Sequence, residues 1–212
     1  MVVKVVRVTS AQEVLDFWFL PSQDPAHNTY RPVWFQKDAG FDGEIRARFG
    51  QVVESALAGG RFAVSDVDEK LAQTQLADKL ADILLLDQFT RNMFRDTPKA
   101  FAGDAAARAL AEELVASGKD QALSPFMRWF AYLPFEHSEA LADQVRAVAL
   151  FTCLLDDAPP GHEPAFASAL DYAKRHHEVI AQFGRFPHRN AILGRESTGG
   201  ERLFLQQPGS SF

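Results

Sequence analysis

The sequence predicts an all-helical fold, and three observations carry that prediction. Its 212 residues include 31 Ala and 21 Leu, while from Thr9 onward only 10 Val and 4 Ile occur, a bias toward good helix formers and away from sheet. Ser, Thr or Asp stands repeatedly just before an apolar-periodic stretch, and Gly or Pro just after it. Within those stretches the apolar residues recur three and four apart, the spacing of one helical face.

Taken in order, MVVKVVRV reads as an extended or frayed lead-in over 1–9. Ser10 with Glu13 forms a capping box that opens a helix from Ala11 to Leu20, stopped by Pro21. After a loop carrying Trp34 and Phe35, the residues Phe41, Ile45, Phe49, Val52, Val53 and Ala56 predict a helix that Gly59-Gly60 ends. Ser65 with Asp68 repeats the capping pattern before a long helix striped by Leu76, Leu80, Ile83 and Leu84. Thr97-Pro98 and Asp104 are start signals, the second for an Ala-rich helix closing near Ser117-Gly118. Ser124-Pro125 opens an aromatic helix that Pro134 is expected to interrupt, ahead of a longer one from about His137 to Leu155 on the stripe Leu141, Val145, Val148, Leu155. Glu163 to Phe183 is the last long helix, ended by Gly184, and a short turn follows at Asn190 to Leu193. About seven or eight helices with short connections result, in one helical domain over 1–212 whose segment 194–212 is a short helical or irregular tail.

Composition excludes several classes. At 47% hydrophobic and 24% charged residues the chain sits at the globular average, which rules out a disordered or collagen-like chain. The single Cys153 cannot form an internal disulfide. No run of about 18 apolar residues is present, and the N-terminus lacks the pattern of a secretory signal, so a cytoplasmic protein with no membrane association is expected. The net charge of -6 is unevenly spread: segments 85–95 and 172–212 carry +1 and +3, against -3 for 1–84 and -7 for 96–171. Local basic segments in an acidic body suit a small anion and not a nucleic acid, which needs a broad basic face.

Polar residues enter the apolar faces at four places. In the last long helix Phe166, Leu170, Ala173, His177 and Ile180 fall at i, i+4, i+7, i+11 and i+14, which puts His177 on the expected buried stripe. Glu136, His137, Glu139 and Asp143 crowd the start of the helix before it, where simple end-capping is the competing explanation. Asp87-Gln88-Phe89-Thr90-Arg91-Asn92-Met93-Phe94-Arg95 follows directly on the apolar ILLL run, with Asp87, Arg91 and Arg95 on one face. A charge emerging from a buried stripe is paired or used. Finally, Gly184-Arg185-Phe186-Pro187-His188-Arg189-Asn190 can present guanidinium forks and backbone amides to an anion, or be a solvated basic loop.

Other chemistry fails on spacing. HExxH, GxSxG, a Walker loop and GxGxxG are all missing, so no metal and no cofactor is expected. The consecutive side chains of His177 and Glu178 diverge by about 100° on a helix and cannot easily share an ion. Cys153 lies in an apolar run and reads as an inert thiol.

The segments DQFTRNMFRDTPKAFAGD (87–104), RWFAYLPFEHSEALADQ (128–144) and HHEVIAQFGRFPHRNAILGREST (176–198), with VLDFWF from residue 14 and WF at 34, resemble the bacterial family of unknown function numbered 924. The resemblance covers nearly the whole chain. It implies antiparallel helices packed in succession as a tetratricopeptide-like right-handed superhelix or bundle, and it brings no established reaction or catalytic residue. Thr90 stands where Pro is common in that family, and Gly200 where a second acid is usual.

Two functional readings follow. In the first, Asp87, Gln88, Arg91, Asn92, Arg95, Arg128, His137, Arg185, Arg189 and Asn190 bind a small carboxylate or phosphate, and His177 exchanges a proton with Glu136 or Glu139. Such a site suits a hydrolase or a transferase, or a binder with no reaction. In the second, the helical groove receives a peptide or protein partner and the polar residues pin the core. Neither reading sets the oligomeric state.

Overall fold

The computed structural model describes residues 10–62 and 69–211. The expected lead-in at 1–9 and the capping pair Ser65/Asp68 lie outside the described residues. No strand occurs among those described.

Helix α1 (Ala11–Phe19) opens with the expected capping box: the Glu13 amide donates to Ser10 Oγ and the Ser10 amide to Glu13 Oε2. It is buried on most sides, and Trp18 near its C-terminal end meets the rings of Trp34, Phe41, Phe89 and Phe130. Helix α2 (Ala39–Leu57) is capped by Asp38 and stops at Gly59, whose φ of +94 a side chain would disfavour. Its face Ile45, Phe49, Val53, Ala56 is buried.

Helix α3 (Glu69–Leu84) continues through one π-helical turn, Leu85–Phe89, into the short α4 (Thr90–Met93). The wide turn is held from outside. Gly103 lies so close to it that a Cβ there would stand 2.1 Å from the Leu86 carbonyl oxygen. Thr90 Oγ1 donates back to the carbonyls of Leu86 and Asp87, satisfying groups that a π turn loosens.

Helix α5 (Asp104–Ala116) starts immediately after Gly103. Helix α6 (Pro125–Glu136) is capped by Ser124 and, contrary to expectation, runs through Pro134 and ends two residues later at Glu136; the helix's buried flanks over Phe130–Glu136 hold the chain in register. Helix α7 (Leu141–Asp156) therefore begins later than the sequence suggests. Its buried stripe is Gln144, Ala147, Phe151, Leu154, while Leu141 and Val145 are half-exposed. Of the two apolar stripes on α7, the one with the small Ala147 faces inward. Helix α8 (Glu163–Phe183) ends at Gly184 in the left-handed region, as expected. A strap with a 3-10 turn at Pro187–Arg189 leads to α9 (Gly199–Phe204), opened by a Thr198/Glu201 capping box.

Helix α7 packs between α6 and α8, α1 lies on α3, and α3 also meets α5 and α6. Most buried apolar residues form one core, and a satellite of Val179, Ile180 and Phe186 seats the strap on the end of α8. This seating brings the strap over the junction of the π turn, α5 and α6.

Candidate functional site

Six elements deliver one polar cluster: the π turn supplies Asp87, α4 Arg91, the end of α6 Glu136 and His137, the start of α5 Asp104, α8 His176, and the strap Phe186 and Arg189. An ionic arc joins His137 to Arg189. His137 Nδ1 is 2.7 Å from Asp87 Oδ1, Arg91 Nη1 is 3.0 Å from that same oxygen, and Arg91 holds Asp104 through two bonds of 2.8 and 3.0 Å. Arg189 Nη1 then reaches Asp104 Oδ2 at 3.2 Å. An aromatic arc closes the ring: His137 lies 6.3 Å from His176, His176 5.4 Å from Phe186, and the Arg189 guanidinium 4.5 Å from the Phe186 centroid.

Asp87 has no exposed surface. Burial pushes its carboxyl up, but Arg91, His137 and the amide of Gln88 more than offset this and hold it well below the usual carboxylate range. An ionised carboxylate only accepts, so Nδ1 of His137 carries the proton and Nε2 the lone pair. Burial, with Arg91 beside it, lowers the His137 pKa against the pull of Asp87, so the imidazole is neutral at pH 7. Its side chain keeps 14% of its surface. A buried carboxylate behind a partly open neutral imidazole is the arrangement of an oriented general base.

The second pair is neutral. Burial and then Asp87 push the Glu136 carboxyl up to about 8, and burial holds His176 well below its ordinary value. His176 Nδ1 sits 2.8 Å from the Tyr172 carbonyl oxygen, which fixes the proton on that nitrogen, with Glu136 Oε1 at 3.2 Å as a further acceptor.

The Arg189 guanidinium lies over the rings of both Phe101 and Phe186, 4.7 and 4.5 Å from their centroids. Burial, then Arg91, lowers its pKa to about 10 despite Asp104. Burial and then Arg189 likewise take His188 down to about 4. Beyond desolvation, a neighbouring arginine is the largest further cause at each of these two groups.

Other expected site residues lie elsewhere. His177 is half-exposed, in a groove of about 220 Å³ with Val145, Val148, Lys174 and Glu178. The expected buried stripe of α8 holds at Phe166, Leu170, Ala173 and Ile180, but at the histidine pair it is His176, about 100° round the helix from His177, that is buried. Asn92 and Arg95 bind Asp42 at the start of α2. Arg128, near the opposite end of α6, joins Gln121 and Asp157. Arg185 forms a two-point pair with Glu201, and Asn190 donates to Ser197. Glu139 is held by Arg195 and the Phe186 amide; these outweigh burial and keep its carboxyl low. Sequence reasoning overlooked Asp104 as a site residue, having read it as a helix start, and preferred His177 to its neighbour. Among the described residues no group of three His, Cys, Asp or Glu could hold a metal ion.

The fold and cluster define an all-helical protein with a histidine and ion-pair ring gathered under a C-terminal strap. The model for the bacterial proteins of unknown function called DUF924 matches residues 14–209, and the chain belongs to that family. The solved structure of a protein of unknown function from Agrobacterium tumefaciens is similar, with 37% identity, a TM-score of 0.69, and 92% of this chain and 96% of that one covered. None of the curated proteins compared with it matches the chain.

Proposed function

We propose that the protein binds a small anionic ligand, a carboxylate or a phosphate, at the ring, and that His137 exchanges a proton with it. The observation that carries this reading is the 2.7 Å hydrogen bond that Nδ1 of the partly open His137 imidazole donates to the fully buried Asp87 carboxylate. A carboxylate so placed fixes the tautomer and stabilises the imidazolium formed on proton uptake. The lowered pKa values of Arg189 and His188 support an anionic partner, since a bound negative charge relieves both. Proton exchange beside a bound anion is chemistry of the hydrolase or transferase kind. Helical spacing alone points to His177 with Glu136 or Glu139 for that role; His137 takes it here, because Glu139 is committed to Arg195 and Glu136 to His176.

A thermal-shift screen with small carboxylates and phosphates tests the reading. A saturable rise in Tm that His137→Gln abolishes supports it, Gln being able to keep a donor toward Asp87. No shift with either class counts against it.

One feature favours a second reading, a protein-interaction surface. Leu141 and Val145 on α7 are 49% and 55% exposed, and Val145 lines the groove beside His177. No helix among the described residues is long and apolar enough to cross a membrane.

A further inference from the structure

We infer that the ligand of the ring is a small monocarboxylic acid, gripped edge-on by Nε and Nη2 of Arg189; this rests on the anion-binding reading above. The guanidinium carbon lies over two rings, Phe101 and Phe186, so its N–H edge is the part left for an acceptor. Of its nitrogens, Nη1 alone is hydrogen-bonded among the described residues, to Asp104. Nε is buried with no partner, on a side chain only 7% exposed. A buried N–H left unmade costs on the order of 1–3 kcal/mol, so the fork Nε–Nη2 has an unmet demand for an acceptor. Its two parallel N–H bonds match the two coplanar oxygens of a carboxylate.

Charge then selects among anions. Arg91 and Arg189 face Asp87 and Asp104, and Arg195 is matched by Glu139, so the formal charges of these groups cancel. The histidines are neutral and Glu136 is protonated at neutral pH. One added negative charge is met by the fork. A second, as on a phosphate dianion, falls against the carboxylates of Asp104, Asp87 and Glu139. The way in lies on the ionic arc, where Arg91 and Asp104 keep 18% and 21% of their side-chain surface, while Phe186 on the aromatic arc has none. An apolar tail on the acid finds Phe101 and Phe186 as walls.

Titration of the full chain with sodium acetate, propionate and benzoate, and separately with inorganic phosphate, at constant ionic strength and pH 7, tests this. The proposal expects saturable carboxylate binding, at least about tenfold tighter than phosphate, and about tenfold weaker in Arg189→Lys, which keeps the charge and loses the fork. Proton–nitrogen NMR of the wild-type arginine Nε–H groups gives a readout that survives poor folding of that variant: one resonance moves downfield saturably with acetate. Phosphate binding in preference to carboxylate overturns the ligand class and leaves the anion site standing. Binding of neither overturns both. Carboxylate binding with no arginine Nε–H resonance moved overturns the role of Arg189.

Discussion

Asp87 and His137, fifty residues apart in sequence, share a 2.7 Å hydrogen bond in which the carboxylate is wholly buried and the imidazole reaches solvent. The π turn aims Asp87 inward at the last turn of α6, and Arg91 one turn on supplies its countercharge. The bond joins the stability of the fold to the proton exchange proposed for His137, and both can be measured.

Asp87→Asn keeps the shape and removes the charge. Arg91 then loses one of its two carboxylates, and the proton on His137 Nδ1 is no longer favoured. A loss of about 3 kcal/mol in denaturant unfolding is expected, the range for breaking a buried pair from one side. A change under about 0.5 kcal/mol would show that Asp87 is not ionised in the fold.

Glu136 sets a pH dependence. Its carboxyl rises from 4.5 in the unfolded chain to about 8 in the fold, so the folded state holds a proton that the unfolded state has released. Its stabilising contribution is complete below pH 4.5 and falls as pH rises toward 8, by at most about 1.4 kcal/mol per pH unit. His188, lowered from 6.5 to about 4, contributes oppositely: its share is complete above pH 6.5 and lost as pH falls toward 4. The two slopes oppose each other below 6.5, and Glu136 acts without that opposition between 6.5 and 8. Urea unfolding across that interval should show stability declining in the wild type and level in Glu136→Gln. Equal slopes in both would remove Glu136 as the cause.

Gly103→Ala tests the π turn. A Cβ 2.1 Å from the Leu86 carbonyl forces backbone to move, at about 1–3 kcal/mol, and drags Asp104 away from Arg91 and Arg189. Lower Tm together with loss of anion-induced stabilisation is the expected result; an unchanged Tm would mean that the turn is not held by this contact.

The adjacent histidines of α8 should behave differently. His177→Ala, at a half-exposed position, should change stability by no more than about 0.5 kcal/mol. His176→Ala empties a buried position against Phe186 and Glu136 and should cost about 2 kcal/mol or more by calorimetry.

These histidines also mark how far the sequence could be read. Helix limits set by local chemistry were legible: the Ser10 cap, the Gly184 stop and the whole of α8 follow from residues within a few positions. So was the gathering of Asp87, Arg91, His137 and Arg189 into one polar cluster, since each lies in a segment where charge stands among apolar or aromatic residues. The choice between His176 and His177 was not, because the spacing of Phe166, Leu170 and Ala173 accommodates either within one step of rotation, and only the strap bearing Phe186 decides. Pro134 misled for a similar reason: a proline weakens a helix locally, and burial of the flanks of α6 outweighs that. Asp104 was read as a helix start because its two arginine partners lie 13 and 85 residues away. The π turn depends on Gly103 approaching from another element, which no local pattern records.

The central claim, a ligand anion beside an oriented and neutral His137, is tested most directly by nitrogen NMR of the histidine side chains across pH, with and without saturating acetate or phosphate. The expected result is a His137 imidazole protonated at Nδ1 and not at Nε2 at pH 7, whose pKa rises saturably when one of the anions is added. A His137 protonated at Nε2, or one whose titration neither anion changes, would contradict it.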